Sequence, residues 1–241
     1  MSECVATKDE LLSAEQAERL EAEGFLSIDD LTDQADVEFI RSLLLPLLER
    51  EDLAQVTTVR HMRKGDDAPP QPTREILGVL ELEPRLKQSR YYRRAMAISK
   101  AVWGPKARLS FDHVIEKPPF SGDETAWHQD CAYSGPVSIS MRRLHWWLPL
   151  QEATEANGCM SYVPGSHLGR RRRHEPVEVD GHFLRTEAPP PEDVVVCPLK
   201  VGGATVHLPH TLHYSGPNRS PAPRIAWILQ IGVRGGIPQL V

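Results

Sequence analysis

The residues of this chain best suited to chemistry are His128 and Asp130, which lie two positions apart. Side chains alternate between the faces of an extended strand, so both would point the same way. A histidine from a distant strand would complete a set of two imidazoles and one carboxylate, and the candidates are His207, His210 and His213. Such a set binds one face of a metal and leaves other positions open, as in non-haem Fe(II) oxygenases.

Arg224 opens an apolar run, Ile225-Ala226-Trp227-Ile228-Leu229. A charge that enters so apolar a strand needs a partner, because burying it unpaired costs much free energy. A planar guanidinium binds a carboxylate through two parallel hydrogen bonds, which predicts a carboxylate-bearing co-substrate. A structural ion pair is the alternative for Arg224, and an ordinary strand histidine beside a surface aspartate is the alternative for the triplet.

Further motifs accompany these residues along the chain. They are Lys117-Pro118-Pro119-Phe120-Ser121-Gly122, Trp147-Leu148-Pro149-Leu150, Asn157-Gly158-Cys159-Met160, Pro164-Gly165-Ser166-His167 and His213-Tyr214-Ser215-Gly216-Pro217-Asn218-Arg219-Ser220. With them the chain resembles the phytanoyl-CoA dioxygenase family of Fe(II)- and 2-oxoglutarate-dependent oxygenases. The likeness covers most of the chain and is weaker towards the N-terminus.

The resemblance implies a metal site made of His128, Asp130 and His213. Among the three distal histidines, only His213 is followed by serine at +2, asparagine at +5 and arginine at +11, which is the spacing around the iron ligand in this family. His207 is then interpreted as a strand-packing residue and His210 as a loop residue or one that supports the ligands.

For the co-substrate, the resemblance implies that Arg224 holds the distal carboxylate of 2-oxoglutarate with help from the Ser215 hydroxyl. Trp147 and His113 match family positions that line the co-substrate pocket. Core packing is the alternative for both residues.

The resemblance also implies an activity. Fe(II), 2-oxoglutarate and O2 would serve to hydroxylate a small-molecule metabolite, with oxidative decarboxylation of 2-oxoglutarate to succinate and CO2. Asp130 argues against halogenation, because related halogenases lack this carboxylate. The alternatives are desaturation, cyclisation or epoxidation at the same iron core, a cupin-like metalloenzyme without 2-oxoglutarate, and a noncatalytic jelly-roll binding module.

Composition limits the remaining classes. The chain has 241 residues, 40% of them hydrophobic, and a net charge of −5 at pH 7. The charge argues against a general nucleic-acid binder, and the lack of a long apolar run argues against a membrane span. Four scattered cysteines and an acidic N-terminus without a secretory pattern favour the reducing cytoplasm. The sequence leaves the oligomeric state open.

Periodicity predicts helices followed by strands. Ser13 and Gln16 fit a capping box before a first helix that Gly24 would end. A second helix is expected over about 34–50, where Pro46 should kink or interrupt it, and a third over about 83–102. From Leu109 onward the apolar period is two, which predicts short strands and places Leu109 and Phe111 on one face of the first. The expected fold is mostly β with flanking helices, a double-stranded β-helix (jelly roll) with N-terminal helices packed on one sheet. One domain would span 1–241, with a helical part over about 1–105 and a jelly-roll core over about 106–235.

The block Arg170–Arg173 is the strongest cluster of positive charge. Such runs are usually solvated surface, and the alternative is a loop at the mouth of the site that attracts an anionic substrate. The polar, proline-bearing segment 170–193 predicts a mobile lid or a disordered loop.

Overall fold

The computed structural model describes residues 11–50, 52–55, 73–133, 142–177 and 183–233. Its helices are α1 (Ala14–Glu23), α2 (Gln34–Leu48), α3 (Val79–Leu82) and α4 (Arg90–Trp103). Its strands are β1 (Phe25–Ile28), β2 (Arg74–Leu77), β3 (Arg108–Lys117), β4 (Thr125–His128), β5 (Arg143–Pro149), β6 (Met160–Tyr162), β7 (Glu175–Pro176), β8 (Leu184–Arg185), β9 (Val195–Cys197), β10 (Ala204–His207), β11 (His213–Ser215) and β12 (Arg224–Gly232). None of the described helices is long and apolar enough to cross a membrane.

Two antiparallel sheets carry the fold. The larger has the strand order β1-β10-β5-β12-β3-β2, and the smaller has the order β4-β11-β6-β9. The short hairpin β7-β8 forms a separate two-stranded sheet. The two sheets enclose an apolar layer, and the helices pack against the other face of the larger sheet. The predicted class, mostly β in a jelly-roll arrangement with N-terminal helices on one sheet, is therefore confirmed.

Strict alternation along the long strands sorts their side chains between these two layers. On β5, Leu144 and Trp146 pack with the helices, whereas Trp147 packs between the sheets. On β12, Trp227 faces the helices and Ile228 the space between the sheets. A residue of even number on β12 or of odd number on β5 is therefore directed to the interior of the jelly roll.

The start of the chain follows its local signals. Ser13 and Gln16 form a reciprocal capping box, and Gly24 ends α1 in the left-handed conformation at φ 83°. Pro46 was expected to kink or interrupt the second helix, yet α2 runs through it to Leu48. The proline removes the bond that an N–H at position 46 would donate to the Ser42 carbonyl oxygen, and the helix ends two residues later.

Two local expectations were wrong, and one strand pairing was not foreseen. The helix expected over 83–102 is split into a 3-10 helix, Pro84–Gln88, and α4, because Ser89 caps α4 with its hydroxyl. Leu109 does not share a face with Phe111, since a bulge shifts the pairing of β3 with β12 and turns Leu109 towards the helices. The sequence also gave no sign that β1 and β2 would form the two edges of the larger sheet.

Candidate active site

A cavity of about 400 Å³ opens between the two sheets. Its walls bring together every residue that the sequence singled out for metal and co-substrate binding: His113, His128, Asp130, Trp147, His213, Ser215 and Arg224. They come from β3, β5 and β12 of the larger sheet, from β4 and β11 of the smaller sheet, and from the turn after β4. Residues far apart in sequence thus meet because the sheets face each other.

His128 and His213 lie side by side on paired strands, since they are direct partners in the β4-β11 register. The Nδ1 of His128 lies 2.7 Å from the Ala126 carbonyl oxygen, and the Nδ1 of His213 lies 2.9 Å from the Thr211 carbonyl oxygen. Each Nδ1–H therefore donates to the backbone, which leaves the Nε2 lone pair for a metal.

Asp130 brings its carboxylate to these two nitrogens. Its Oδ1 lies 3.5 Å from His128 Nε2 and 3.7 Å from His213 Nε2. Both separations exceed a normal hydrogen bond. They suit ligand atoms arranged around one ion, because divalent first-row metals bind such atoms at roughly 2 Å. The three side chains therefore have the donor set and the spacing for Fe(II).

The backbone at Asp130 differs from the expected strand. β4 ends at His128, and Asp130 begins the 3-10 helix Asp130–Tyr133. The shared direction of the two side chains thus arises from a turn and not from strand alternation. The buried side-chain amide of Gln129 fixes this turn, since its nitrogen donates to the His210 carbonyl oxygen at 2.7 Å.

The ionisation states suit metal binding. Burial alone would raise the pKa of Asp130, but the surrounding histidines, His213 first, hold it well below its usual value. Burial lowers the pKa of His213 far below its usual value. At neutral pH the carboxylate is therefore ionised and the imidazole neutral, which are the forms that bind a cation.

Arg224 lies on the same wall, 2% exposed. Burial lowers its pKa to about 10, so it remains a cation at neutral pH. No described Asp or Glu pairs with it, and its Nε is buried without a hydrogen-bond partner. The structural ion pair, the alternative for this residue, is thus not found within the described residues. A buried cation with a free donor fits an anionic ligand.

Ser215 orients this guanidinium. Its Oγ accepts a hydrogen bond from Arg224 Nη2 at 3.1 Å and donates one to the Gly158 carbonyl oxygen at 2.9 Å. The fully buried Lys117 donates to the same Oγ at 3.2 Å and to the carbonyl oxygens of Ser215 and Gly216 at 2.9 and 2.7 Å. The sequence pointed to Ser215 but gave Lys117 no role.

Trp147 and His113 flank Ile228 on neighbouring strands of the larger sheet. The Trp147 ring lies beneath the Arg224 guanidinium, 5.6 Å from its central carbon. His113 lines the cavity and pairs with the Glu75 carboxylate on β2. Trp147 thus adjoins the cation, whereas His113 belongs to a second polar part of the wall.

The arginine block lies beside the turn that carries Asp130. The Arg172 backbone N–H donates to the Gln129 side-chain oxygen at 2.8 Å, and the Gln129 N–H donates to His174 Nε2 at 3.0 Å. The segment expected to be a mobile lid or disordered folds in part into the hairpin β7-β8, whose Phe183 lines the cavity. Residues 178–182 of that segment lie outside the described residues.

Comparison with known proteins agrees with this geometry. A family profile described as "Phytanoyl-CoA dioxygenase (PhyH)" matches residues 20–226. The chain belongs to the phytanoyl-CoA dioxygenase family. The family membership expected from the sequence motifs is therefore confirmed.

Individual relatives are consistent with the family. The chain is 36% identical to a probable alpha-ketoglutarate-dependent hypophosphite dioxygenase of Stutzerimonas stutzeri over 124 residues, which cover 48% of this chain and 42% of that protein. It is 30% identical to phytanoyl-CoA dioxygenase 1 of Oryza sativa subsp. japonica over 158 residues, which cover 63% of this chain and 54% of that protein. The chain spans about half the length of the curated relatives it matches.

Among solved structures, EvdO2 from Micromonospora carbonacea var. aurantiaca, complexed with 2-oxoglutarate, superposes with a TM-score of 0.77. It shares 28% sequence identity and covers 99% of this chain and 96% of its own. The match supports the jelly-roll fold.

Two histidines beside Asp130 were not identified as site residues from the sequence of this chain. His145 and His207 both contact Asp130, although His207 was interpreted as a strand-packing residue. Alternation could have revealed His145, because Leu144, Trp146 and Leu148 form one apolar face and leave His145 on the other with Trp147. Nothing in the sequence indicated which carboxylate they would reach.

Gly158 offers a test of the wall behind Arg224. It has φ 83°, and an added Cβ would lie 2.3 Å from the Gly216 carbonyl oxygen. Gly158→Ala is expected to lower the free energy of unfolding by about 1–2 kcal/mol for the left-handed conformation and by about 1–3 kcal/mol more for overpacking. Gly78→Ala is the control, since Gly78 has φ 65° and its Cβ would meet nothing closer than 3.8 Å. Urea unfolding of both variants measures the difference, and equal losses would contradict the close approach at Gly158.

Proposed function

We propose that this protein is an Fe(II)- and 2-oxoglutarate-dependent oxygenase that hydroxylates a small-molecule metabolite. The observation that carries the proposal is that one cavity contains both a candidate metal site and a buried cation suited to an anionic ligand. His128, Asp130 and His213 direct three ligand atoms to one point, and Arg224 lies buried nearby with no acidic partner among the described residues.

Each of the site residues has a specific role in this proposal. His128, Asp130 and His213 hold the metal, which supplies the oxidising chemistry with 2-oxoglutarate and O2. Arg224 binds the distal carboxylate of 2-oxoglutarate, and Ser215 keeps the guanidinium in place through its Oγ.

The neighbours of Arg224 shape the rest of the co-substrate pocket. Trp147 covers one face of the guanidinium and would keep water from the ion pair between Arg224 and the 2-oxoglutarate carboxylate. His113 lines the same cavity and is held by Glu75. We assign His113 to the pocket wall, as its family position suggests.

The remaining surroundings fit a small substrate. The cavity of about 400 Å³ lies in the range of small-molecule sites. The net charge of −5 gives no general attraction for nucleic acid. Cys131, Cys159 and Cys197 are buried free thiols, which agrees with action in the reducing cytoplasm.

Oxygen insertion is proposed over halogenation because Asp130 supplies a third protein ligand. With Fe(II), 2-oxoglutarate, O2 and a metabolite panel, the protein is expected to form succinate even at high chloride concentration. Mass spectrometry with labelled O2 should find one labelled atom in succinate and, for a hydroxylated substrate, one in the product. His128→Ala is the matched control and should form no succinate.

Two results would contradict this proposal. A chlorinated product from the unmodified protein would contradict the role of Asp130. If the panel yields no succinate at all while Fe(II) and 2-oxoglutarate both bind, the noncatalytic binding module replaces the oxygenase.

A further inference from the structure

Asp130 has two more histidine neighbours, and both contact Oδ2, the carboxylate oxygen that His128 and His213 do not face. His145 Nδ1 lies 2.5 Å from Asp130 Oδ2, and His207 Nε2 lies 2.9 Å from the same oxygen. Both imidazoles are 4% exposed, and both come from the larger sheet. The family match and the proposed function assign neither of them a role.

The distances distinguish the two pairs of histidines. The contacts to Oδ2 are close enough for hydrogen bonds. The contacts from His128 and His213 to Oδ1, at 3.5 and 3.7 Å, do not. Two donors therefore take up one oxygen of the carboxylate, and the other oxygen faces the two Nε2 atoms that could share a metal with it.

The proton positions follow from the partners. An ionised carboxylate only accepts hydrogen bonds, so His145 must donate from Nδ1 and His207 from Nε2. The Nδ1 of His207 lies 3.3 Å from the Tyr162 hydroxyl, which also contacts Thr205 Oγ1 at 2.7 Å. The Tyr162 hydroxyl is thus placed to donate to His207 Nδ1, which fixes the tautomer that donates to Asp130.

The backbone holds both donors in place. His145 on β5 and His207 on β10 are direct partners in the sheet register, and His145 pairs on its other side with Gln230 on β12. The donors therefore stand on adjacent strands of the larger sheet, whereas Asp130 belongs to a turn at the end of the smaller sheet. The two hydrogen bonds tie this turn to a rigid wall.

We propose that His145 and His207 are positioning residues that hold Asp130 so that it binds the metal through Oδ1 alone. The proposal rests on the metal site of the proposed function. A carboxylate whose second oxygen is free can rotate and bind through both oxygens, which would occupy a position needed by the co-substrate. Residues that orient ligands in this way typically contribute a factor of about 10–100 to metal affinity.

The test uses the whole chain and Co(II), whose visible absorption reports the ligand set. His207→Leu and His145→Leu remove one donor each and are expected to weaken Co(II) binding about 10–100-fold. His207→Gln and His145→Asn are the matched variants, because a glutamine amide nitrogen replaces Nε2 and an asparagine amide nitrogen replaces Nδ1. These two should retain most of the affinity, the unmodified absorption spectrum and 2-oxoglutarate binding by the Co(II) form.

Variants in which the two amide residues are exchanged between the positions control for misfolding of the leucine variants. His207→Asn and His145→Gln carry an amide of the wrong length, so they should bind Co(II) as weakly as the leucine forms. Rescue that depends on amide length at each position is not expected from a residue that only fills space.

Three results would overturn the proposal. One is that the leucine variants and the exchanged variants bind Co(II) with the affinity and absorption spectrum of the unmodified protein. Another is an equal loss in all variants, with no rescue. The third is two Co(II) ions per unmodified chain with one lost on substitution, which would make His145 and His207 ligands of a second metal. Failure of the unmodified chain to bind Co(II) or Fe(II) would instead reject the proposed function, and this inference with it.

Discussion

His213→Ala is expected to weaken Fe(II) binding by more than about 100-fold, beyond the loss seen for residues that only orient ligands. The imidazole is 4% exposed and supplies one of three ligand atoms, and its Nδ1–H is already committed to the Thr211 carbonyl oxygen. Alanine leaves two ligand atoms, and the neighbouring imidazole of His207 already contacts Asp130 through its Nε2 at 2.9 Å. Anaerobic titration with Fe(II) measures the loss.

His210→Ala is the matched control for this experiment. His210 lies three positions from His213 and does not line the cavity, so its variant should bind Fe(II) as the unmodified chain does. Equal Fe(II) affinity in the His213 variant and the unmodified protein would remove His213 from the metal site. Equal loss in both variants would indicate general damage to the loop.

Arg224→Ala is expected to raise the dissociation constant of 2-oxoglutarate from about 30-fold to several thousand-fold while Fe(II) binding stays intact. Truncating one partner of a buried, charged hydrogen-bonded pair costs about 2–5 kcal/mol, and each 1.4 kcal/mol is about a factor of ten. The guanidinium is desolvated and has an unused Nε donor, so a carboxylate is its expected partner. Calorimetric titration of the metal-loaded protein with 2-oxoglutarate measures the change.

Arg219→Ala serves as the control for the Arg224 variant. Arg219 is an exposed arginine on the segment that leads to β12, so its loss changes the charge without touching the cavity. Unchanged 2-oxoglutarate affinity in the Arg224 variant would give Arg224 a structural role only. A similar loss in both variants would indicate that net charge, and not a specific contact, attracts the co-substrate.

Much of the fold could be predicted because its signals are local. Ser13 and Gln16 cap α1, and the alternation on β5 and β12 directs apolar residues to the layers they occupy. The bulge that turns Leu109 was not predictable, since it depends on how β3 pairs with a strand more than a hundred residues later. The edge strands β1 and β2 depend on the same kind of long-range pairing.

The candidate site, like the fold, could be predicted from the sequence only in part. The positions of His128, Asp130 and His213 followed from spacing and resemblance, although Asp130 approaches the two histidines from a 3-10 turn. Lys117, His145 and His207 were missed because their partners lie in distant segments of the chain. Sequence spacing describes contacts within a segment, whereas these contacts are made only when the sheets assemble.

Stepwise anaerobic titration, first with Fe(II) and then with 2-oxoglutarate, tests most directly whether metal and co-substrate share this site, and visible absorption reports the result. We expect one Fe(II) per chain and a charge-transfer band that appears when one equivalent of 2-oxoglutarate is added. The band should be absent in the His213→Ala variant and need far more 2-oxoglutarate in the Arg224→Ala variant. Binding of 2-oxoglutarate with the same affinity with and without Fe(II), and with no band, would contradict a shared site for metal and co-substrate.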